Sequence, residues 1–273
     1  MKYTTDLYTI RCLTNMHVGS GDANYGIIDK QVQRDIITEM PIIHSSSMKG
    51  ALRQHAEMLL SDEDVINDIF GSENDKNSNG KSQTGTHRFF TAQLLSLPVR
   101  SDTKPFFRAF SLATLRQLCN DMAIFNVQSA SKTQIEEVCE LLDKKTDSIY
   151  LLSDTIKSAI LEDQKATAID KQLLPKLAIL TKLLGDNLAL FPDDDFKELV
   201  KNLPVIARNH LENGISKNLW YEEIVPRESI FYTLIARPLD NQDFQCLLRI
   251  ANNITQIGAN ASIGYGLCKF TKL

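Results

Sequence analysis

Pro41-Ile42-Ile43-His44-Ser45-Ser46-Ser47-Met48-Lys49-Gly50-Ala51-Leu52-Arg53 joins an extended run to a helix, and the fold class follows from that junction. Met48, Leu52, Ala56 and Leu59 recur at three and four, the spacing of an amphipathic helix, and serine is a favoured helix cap. The expected helix runs from Ser47 to Leu60 with a serine at its start. Lys49 and Arg53 lie four apart, so they share a face beside the amide-rich first turn, which suits a phosphate. An ordinary solvated basic face is the commoner outcome for such a pair.

Upstream, residues 3–13 alternate loosely (Tyr3, Leu7, Tyr8, Ile10, Cys12) and read as an opening strand. His17 to Gly26 follows as a loop in which Gly19, Gly21 and Gly26 surround Ser20, Asp22 and Asn24. An extended segment then restarts at Ile27 and ends near Arg34. His17 near Asp22 and Asp29 could form an acid/base or metal-binding group, although a lone histidine ending a strand is more often structural. The dense string from Asp29 to Asp35 is either a functional stretch or an edge strand blunted by charge.

Downstream, residues 72–85 carry almost no apolar side chain and read as a mobile polar loop. Phe89 to Val99 looks extended, Leu112 to Met122 helical, and 133–145 helical and amphipathic. The stretch 165–190 is helix-like, with Pro175 starting or kinking a helix inside it. Val205 to Arg208 and Ile230 to Ala236 are extended pieces separated by the turn signal Glu212-Asn213-Gly214. Asp240 to Ile254 reads as a helix and Gly266 to Thr271 as a final strand. Interleaving without strict alternation favours an α+β fold over a doubly wound parallel sheet.

The 273 residues suffice for one large domain or two small ones. With 43% hydrophobic and 23% charged residues the composition is that of a globular protein. No run of eighteen apolar residues suggests a membrane span, and the N-terminus lacks the apolar region of a signal peptide, so a cytoplasmic location is expected. Cys12, Cys119, Cys139, Cys246 and Cys268 have no metal or disulfide spacing and read as buried thiols. A net charge of −4 argues against gripping nucleic acid through the overall field and leaves room for a local basic track. HExxH, CxxC, GxSxG and Walker sequences are all absent. The run Ile257 to Gly266 comes too late for a dinucleotide-binding loop; it is either a tight turn into the last strand or bare backbone against a phosphate or another strand.

Taken together, His17-Val18-Gly19-Ser20-Gly21, Gly26-Ile27-Ile28-Asp29, Gln33-Arg34-Asp35 and Pro41 to Arg53 resemble the opening of RAMP-superfamily CRISPR backbone proteins. Leu219 to Pro226 resembles a tract of the type III-B (Cmr) backbone subunit in particular, and Gly258 to Gly266 is similar to the superfamily's C-terminal glycine-rich loop. The resemblance implies a ferredoxin-like, RRM-related core with an inserted helical region at about 123–195 and a protruding thumb hairpin within about 205–228. It further implies stacking along a CRISPR guide RNA, each copy spanning about six nucleotides, a span within the range a small domain tracks along a backbone. The implied activity is cleavage of complementary single-stranded target RNA, with Asp29 catalytic and His17 second to it. Lys49, Arg53, Ser46, Ser47, Arg34, Gly258, Gly264 and Gly266 are the implied RNA contacts, with Arg208 and Lys217 added from the thumb. An ordinary aspartate is a weak base at neutral pH, so a role as ligand to a divalent ion, Mg2+ or Mn2+, or an orienting role suits Asp29 better than unaided proton abstraction. Implied partners are further copies of the chain, a large polymerase/cyclase-like subunit, a small helical subunit and capping RAMP subunits. The competing expectation is a non-catalytic RNA-binding scaffold.

Overall fold

The computed structural model describes residues 2–21, 26–72, 82–127, 129–241, 243–250 and 253–273. Most of the polar stretch expected to be a mobile loop lies outside them. In chain order, β1 (Tyr3–Cys12) and the short β2 (Ile42–Ile43) precede α1 (Ser45–Leu59) and α2 (Glu63–Phe70). The two-residue strands β3 (Gly71–Ser72), β4 (Gln83–Thr84) and β5 (Arg88–Phe89) then lead to β6 (Ala92–Val99). Next come β7 (Phe107–Phe110), α3 (Leu112–Ile124), α4 (Ala130–Leu142), β8 (Ile149–Leu151), β9 (Ser158–Leu161), β10 (Gln164–Ala168), α5 (Ala178–Leu184), β11 (Leu188–Leu190) and α6 (Asp193–Lys201). The chain closes with β12 (Val205–Glu212), β13 (Ile215–Glu223), β14 (Ile230–Pro238), α7 (Asp243–Ile250), β15 (Ile254–Gln256) and β16 (Leu267–Lys272).

The central strands run β16-β1-β14-β6, each antiparallel to its neighbour. With α1 between β1 and β6 and α7 between β14 and β16, this is the βαββαβ arrangement of a ferredoxin-like core. Alternation on the strands sends side chains to two cores. Tyr8, Ile10 and Cys12 meet α1, α2 and α7 on one face, while Leu7, Tyr232 and Leu234 meet α3, α4 and α5 on the other. The second face is therefore closed, so bases cannot stack on it as they do on an RRM sheet.

Several expectations need correction. The insertion is not simply helical: β7, β11, β8, β10 and β9 prolong the sheet beyond β6. The stretch 165–190 looked helical because a short buried strand such as β11 has the same unbroken apolar character as a helix segment. Pro175 sits at the start of a 3-10 turn, Leu174–Leu177, ahead of α5. Asn213 and Gly214, both with positive φ, turn β12 back onto β13, so the hairpin pairs these two strands and β14 is a separate central strand. The segment from Ile27 to Arg34 makes only isolated bridges, and sequence reading missed α2 although the Asp62 cap, the acidic first turn and Ile66, Ile69 and Phe70 at helical spacing all signal it. The helix 133–145 is α4, and Asp240 to Ile254 divides into α7 and β15. Cys12, Cys119, Cys139 and Cys268 are free and buried; the side chain of Cys246 lies outside the described residues. No described helix is long and apolar enough to cross a membrane.

One end of the sheet is pinned by Asp6, whose carboxylate meets Arg237 Nε at 2.7 Å and Lys272 Nζ at 3.0 Å. Burial pushes the Asp6 carboxyl up, but Arg237 and Lys272 outweigh it and hold the group below its ordinary value. A carboxyl depressed in the folded state adds stability that is fully present above its unfolded value, near pH 4, and lost as pH falls through the folded value. Thermal melts from pH 7 to 2.5 should therefore show Asp6→Asn less stable than the parent at neutral pH, the gap closing below about pH 4. A gap that stays constant across that range would refute the linkage.

Candidate functional site

Asp29 is exposed at the root of the β12–β13 hairpin and is clamped to one residue of it. The backbone N–H groups of Asp29 and Lys30 both donate to the Tyr221 carbonyl at 3.1 Å, and the Tyr221 N–H donates to Asp29 Oδ2 at 2.7 Å. Main chain and side chain are thus fixed together, which orients the carboxylate before any substrate arrives. Two residues further along β13, the Glu223 N–H donates to the Lys30 carbonyl at 2.9 Å. The buried Glu223 carboxylate accepts from Val32 N–H at 3.0 Å and from Arg34 Nη2 at 2.5 Å. The segment carrying Asp29 is therefore bolted to β13 on both sides of Val32.

His17 is buried, with Nδ1 2.7 Å from the Glu223 carbonyl. A carbonyl only accepts, so Nδ1 carries the proton. His17 and Asp29 thus hang from residues two apart on β13, Asp29 toward solvent and His17 within the frame. The C-terminal loop lies directly on this frame. Ala259 N–H donates to the His17 carbonyl at 2.9 Å, and a Cβ on Gly258 would sit 2.4 Å from that oxygen at a φ of +87°. Of the two readings of the loop, close approach to another backbone holds here together with the turn into β16. Gly258→Ala should cost about 2 kcal/mol or more, from the backbone strain and the clash together. A melting temperature equal to the parent's would refute that packing. Gly266 is equally confined by the Ile257 carbonyl, while Gly264 faces open space.

The expected RNA contacts divide sharply. Lys49, half-buried on α1, has no partner among the described residues. Arg53 is engaged by Glu57 at 2.9 Å and by the Gly71 carbonyl at 2.5 Å. Arg34 is engaged by the Glu39 and Val200 carbonyls, both at 2.9 Å, as well as by Glu223. Arg208 pairs with the buried Glu222 at 3.1 Å and lies over the Tyr265 ring, 4.7 Å from its centre. Three of the four expected arginine and lysine contacts on the body and hairpin root thus work as internal ties. Lys217 is exposed near the hairpin tip, 3.8 Å from Glu212.

The serines do not cap α1: His44 is the N-cap, and its side chain makes no capping hydrogen bond. Instead Gln33 bridges the region. Its Oε1 accepts from His44 N–H at 2.7 Å, and its Nε2 donates to Ser47 Oγ at 2.8 Å and to the Gly19 carbonyl at 3.2 Å. Sequence reading missed Gln33 and Glu222, whose partners lie far along the chain or in loops. Ser46 remains exposed on the first turn.

The RAMP superfamily matches residues 9–269 of this sequence. The chain belongs to the RAMP superfamily. It is 30% identical over 294 aligned positions to the CRISPR system Cmr endoribonuclease Cmr4 of Pyrococcus furiosus, spanning 98% of this chain and 95% of that one. It shares its fold with a chain of a type III-B Cmr-beta complex bound to cognate target RNA, at a TM-score of 0.77 and 22% identity over 98% and 96% of the two chains. The crystal structure of oligomeric Cmr4 from Pyrococcus furiosus gives 0.69 at 23% identity over 98% of each.

In this RAMP chain Asp29 is the expected ligand to a divalent ion, beside whatever groups a bound RNA would supply. No group of three His, Cys, Asp or Glu side chains converges among the described residues. Asp29 stands as one carboxylate with one oxygen already bonded to an amide. Asp22, the third member of the expected acid/base or metal-binding group with His17 and Asp29, lies outside the described residues.

Proposed function

We propose that this chain is the repeating, guide-RNA-binding backbone subunit of a type III-B CRISPR effector in antiviral defence. It cuts complementary target RNA beside Asp29, at intervals of about six nucleotides set by the span of one copy. The full-length relation to a Cmr4 endoribonuclease supports the reading. The observation that carries the site is the exposed Asp29 carboxylate, locked to Tyr221 at the root of a projecting hairpin. In the simplest chemistry the ribose 2′-oxygen attacks the adjacent phosphorus. The bond to the 5′-oxygen breaks, the 2′ proton is lost to solvent, and the 5′-oxygen takes up a proton. A 2′,3′-cyclic phosphate and a 5′-hydroxyl result. Asp29 orients the 2′-hydroxyl by accepting its hydrogen bond, and displacement of a base at the hairpin supplies an in-line geometry that a regular A-form helix denies. With the sheet face covered, Lys49 and the first turn of α1 offer the guide backbone its main contact, and Mg2+ or Mn2+ accompanies the RNA as counter-charge. The partners are guide RNA, single-stranded target RNA, further copies of the chain, the large polymerase/cyclase-like and small helical subunits, and capping RAMP subunits, in the cytoplasm. The test is to map the products of a labelled complementary RNA with the assembled complex. Evenly spaced cuts with those end groups are expected; bound but intact RNA would establish the scaffold reading instead.

A further inference from the structure

Ile36 and Ile37 are 95% and 90% exposed, the extreme among the described large apolar side chains. They do not sit on a loose loop. Asp35 Oδ1 accepts from Ile37 N–H at 3.0 Å, Thr38 N–H at 2.8 Å and Thr38 Oγ1 at 3.0 Å. Asp35 N–H donates to the Met40 carbonyl and Glu39 N–H to the Asp35 carbonyl, both at 2.9 Å. Arg34 braces the turn from below through the Glu39 carbonyl. A turn so heavily bonded has little freedom left to lose, so it presents its two isoleucines at low entropic cost to a partner.

The chemistry selects a protein partner over RNA. Isoleucine has neither the donors nor the aromatic face by which proteins hold single strands, and Asp35 and Glu39 flank the pair with negative charge that repels phosphate. The same chain carries a groove whose apolar walls and basic residues complement the two isoleucines and the Asp35 and Glu39 carboxylates. It lies between α4 and α5, with a volume of about 650 Å³ and Val138, Leu141 and Ile179 in its walls. Lys176 and Lys182 stand on its rim, with Glu137 on the α4 side. The turn is rooted by Met40 in the core on one face of the sheet, while Leu141 and Ile179 pack into the core on the other. A peg and a socket on opposite faces form a heterologous, head-to-tail contact, the kind that propagates into an open filament.

We infer that the turn from Asp35 to Met40 is a rigid apolar peg by which one copy of this chain docks into the α4–α5 groove of the next. The inference rests on the repeating-backbone reading and names the surfaces that join the copies. It is tested on complexes assembled on guide RNA from full-length chain. Two differently tagged preparations, Ile37→Cys and Ala178→Cys, are mixed and treated with a short bismaleimide, beside a parent control for the native thiols. A cross-link joining the two tags, absent when either variant is used alone, is expected. Ile36→Ser/Ile37→Ser, which should melt like the parent because both side chains are exposed, should need about tenfold or more higher concentration to reach the parent's number of copies per guide. Absence of the cross-link while copies still load, or unchanged loading by the double serine variant, would overturn the inference and leave the proposed function standing. Weaker guide binding by a single copy of the serine variant would also overturn it, since the turn would then contact RNA. If the parent itself loads one copy per guide, the repeating-backbone reading fails and takes the inference with it.

Discussion

Glu223→Ala should destabilise the protein by about 3–5 kcal/mol, the usual consequence of removing one partner from a buried ion pair. The carboxylate is 3% exposed and its partner Arg34 22%, so solvent can screen only a small part of the loss. The alanine leaves the Arg34 guanidinium without its counter-charge and the Val32 N–H without an acceptor, and it opens a void where the side chain stood. Glu223→Gln keeps an oxygen for one of those donors and should cost about half as much or less. Chemical denaturation of the two variants beside the parent provides the measurement. A Glu223→Ala loss under about 1 kcal/mol would mean that the pair is dispensable and that the segment from Asp29 to Arg34 is anchored elsewhere.

Asp29→Asn should lower target cleavage by about a hundredfold or more while leaving fold and target binding in place, a loss typical of removing a catalytic acid, base or orienting group. The substitution is nearly isosteric, and the amide oxygen can still accept from Tyr221 N–H, so the clamp survives. What changes is the second oxygen: a negatively charged acceptor becomes an NH2 donor, which cannot take the hydrogen bond of a 2′-hydroxyl. Asp29→Ala removes the clamp as well, but the site is exposed and water replaces the lost bond, so its stability cost stays at about 1 kcal/mol or below. Single-turnover cleavage rates with target binding followed in parallel separate these effects. An Asp29→Asn protein that cuts at the parent's rate would remove Asp29 from the chemistry.

The elements legible in the sequence are those whose signal is local. The alternation of β1, the spacing of Met48, Leu52 and Ala56 in α1, and the Ser111-capped α3 all express a period that one segment carries alone. β14 also reads as extended from Ile230 to Ala236, but its place at the centre of the sheet is not legible, because both of its faces are buried and no alternation says which neighbour it pairs with. The sheet extension past β6 is invisible for a related reason: β8, β9 and β11 are three or four residues long and gain their identity only from neighbours. At the site, the glycine loops could be read because loop chemistry is local, whereas the choice of Asp29 among the carboxylates rests on the family resemblance. The fate of the arginines could not. Whether Arg34 faces solvent or Glu223 depends on a residue 189 positions away, and the same holds for Arg208, which the buried Glu222 draws inward together with Asn260. Basic residues that looked like one track thus divide into Lys49, which has no partner among the described residues, the exposed Lys217 loosely paired with Glu212, and a set of ties holding the Asp29 segment, the hairpin root and the glycine loop together.

The most direct test of the central claim is to assemble complexes from mixtures of parent and Asp29→Asn chains in graded ratios and to map every cut on one labelled target. If each copy makes its own cut beside its own Asp29, the intensity of every cut should fall in proportion to the fraction of variant. The positions and spacing should stay unchanged, and in the pure variant cleavage should fall by about a hundredfold or more while target stays bound. Cuts that persist at the parent's rate in the pure variant, or that disappear together at low doping, would contradict one active site per copy.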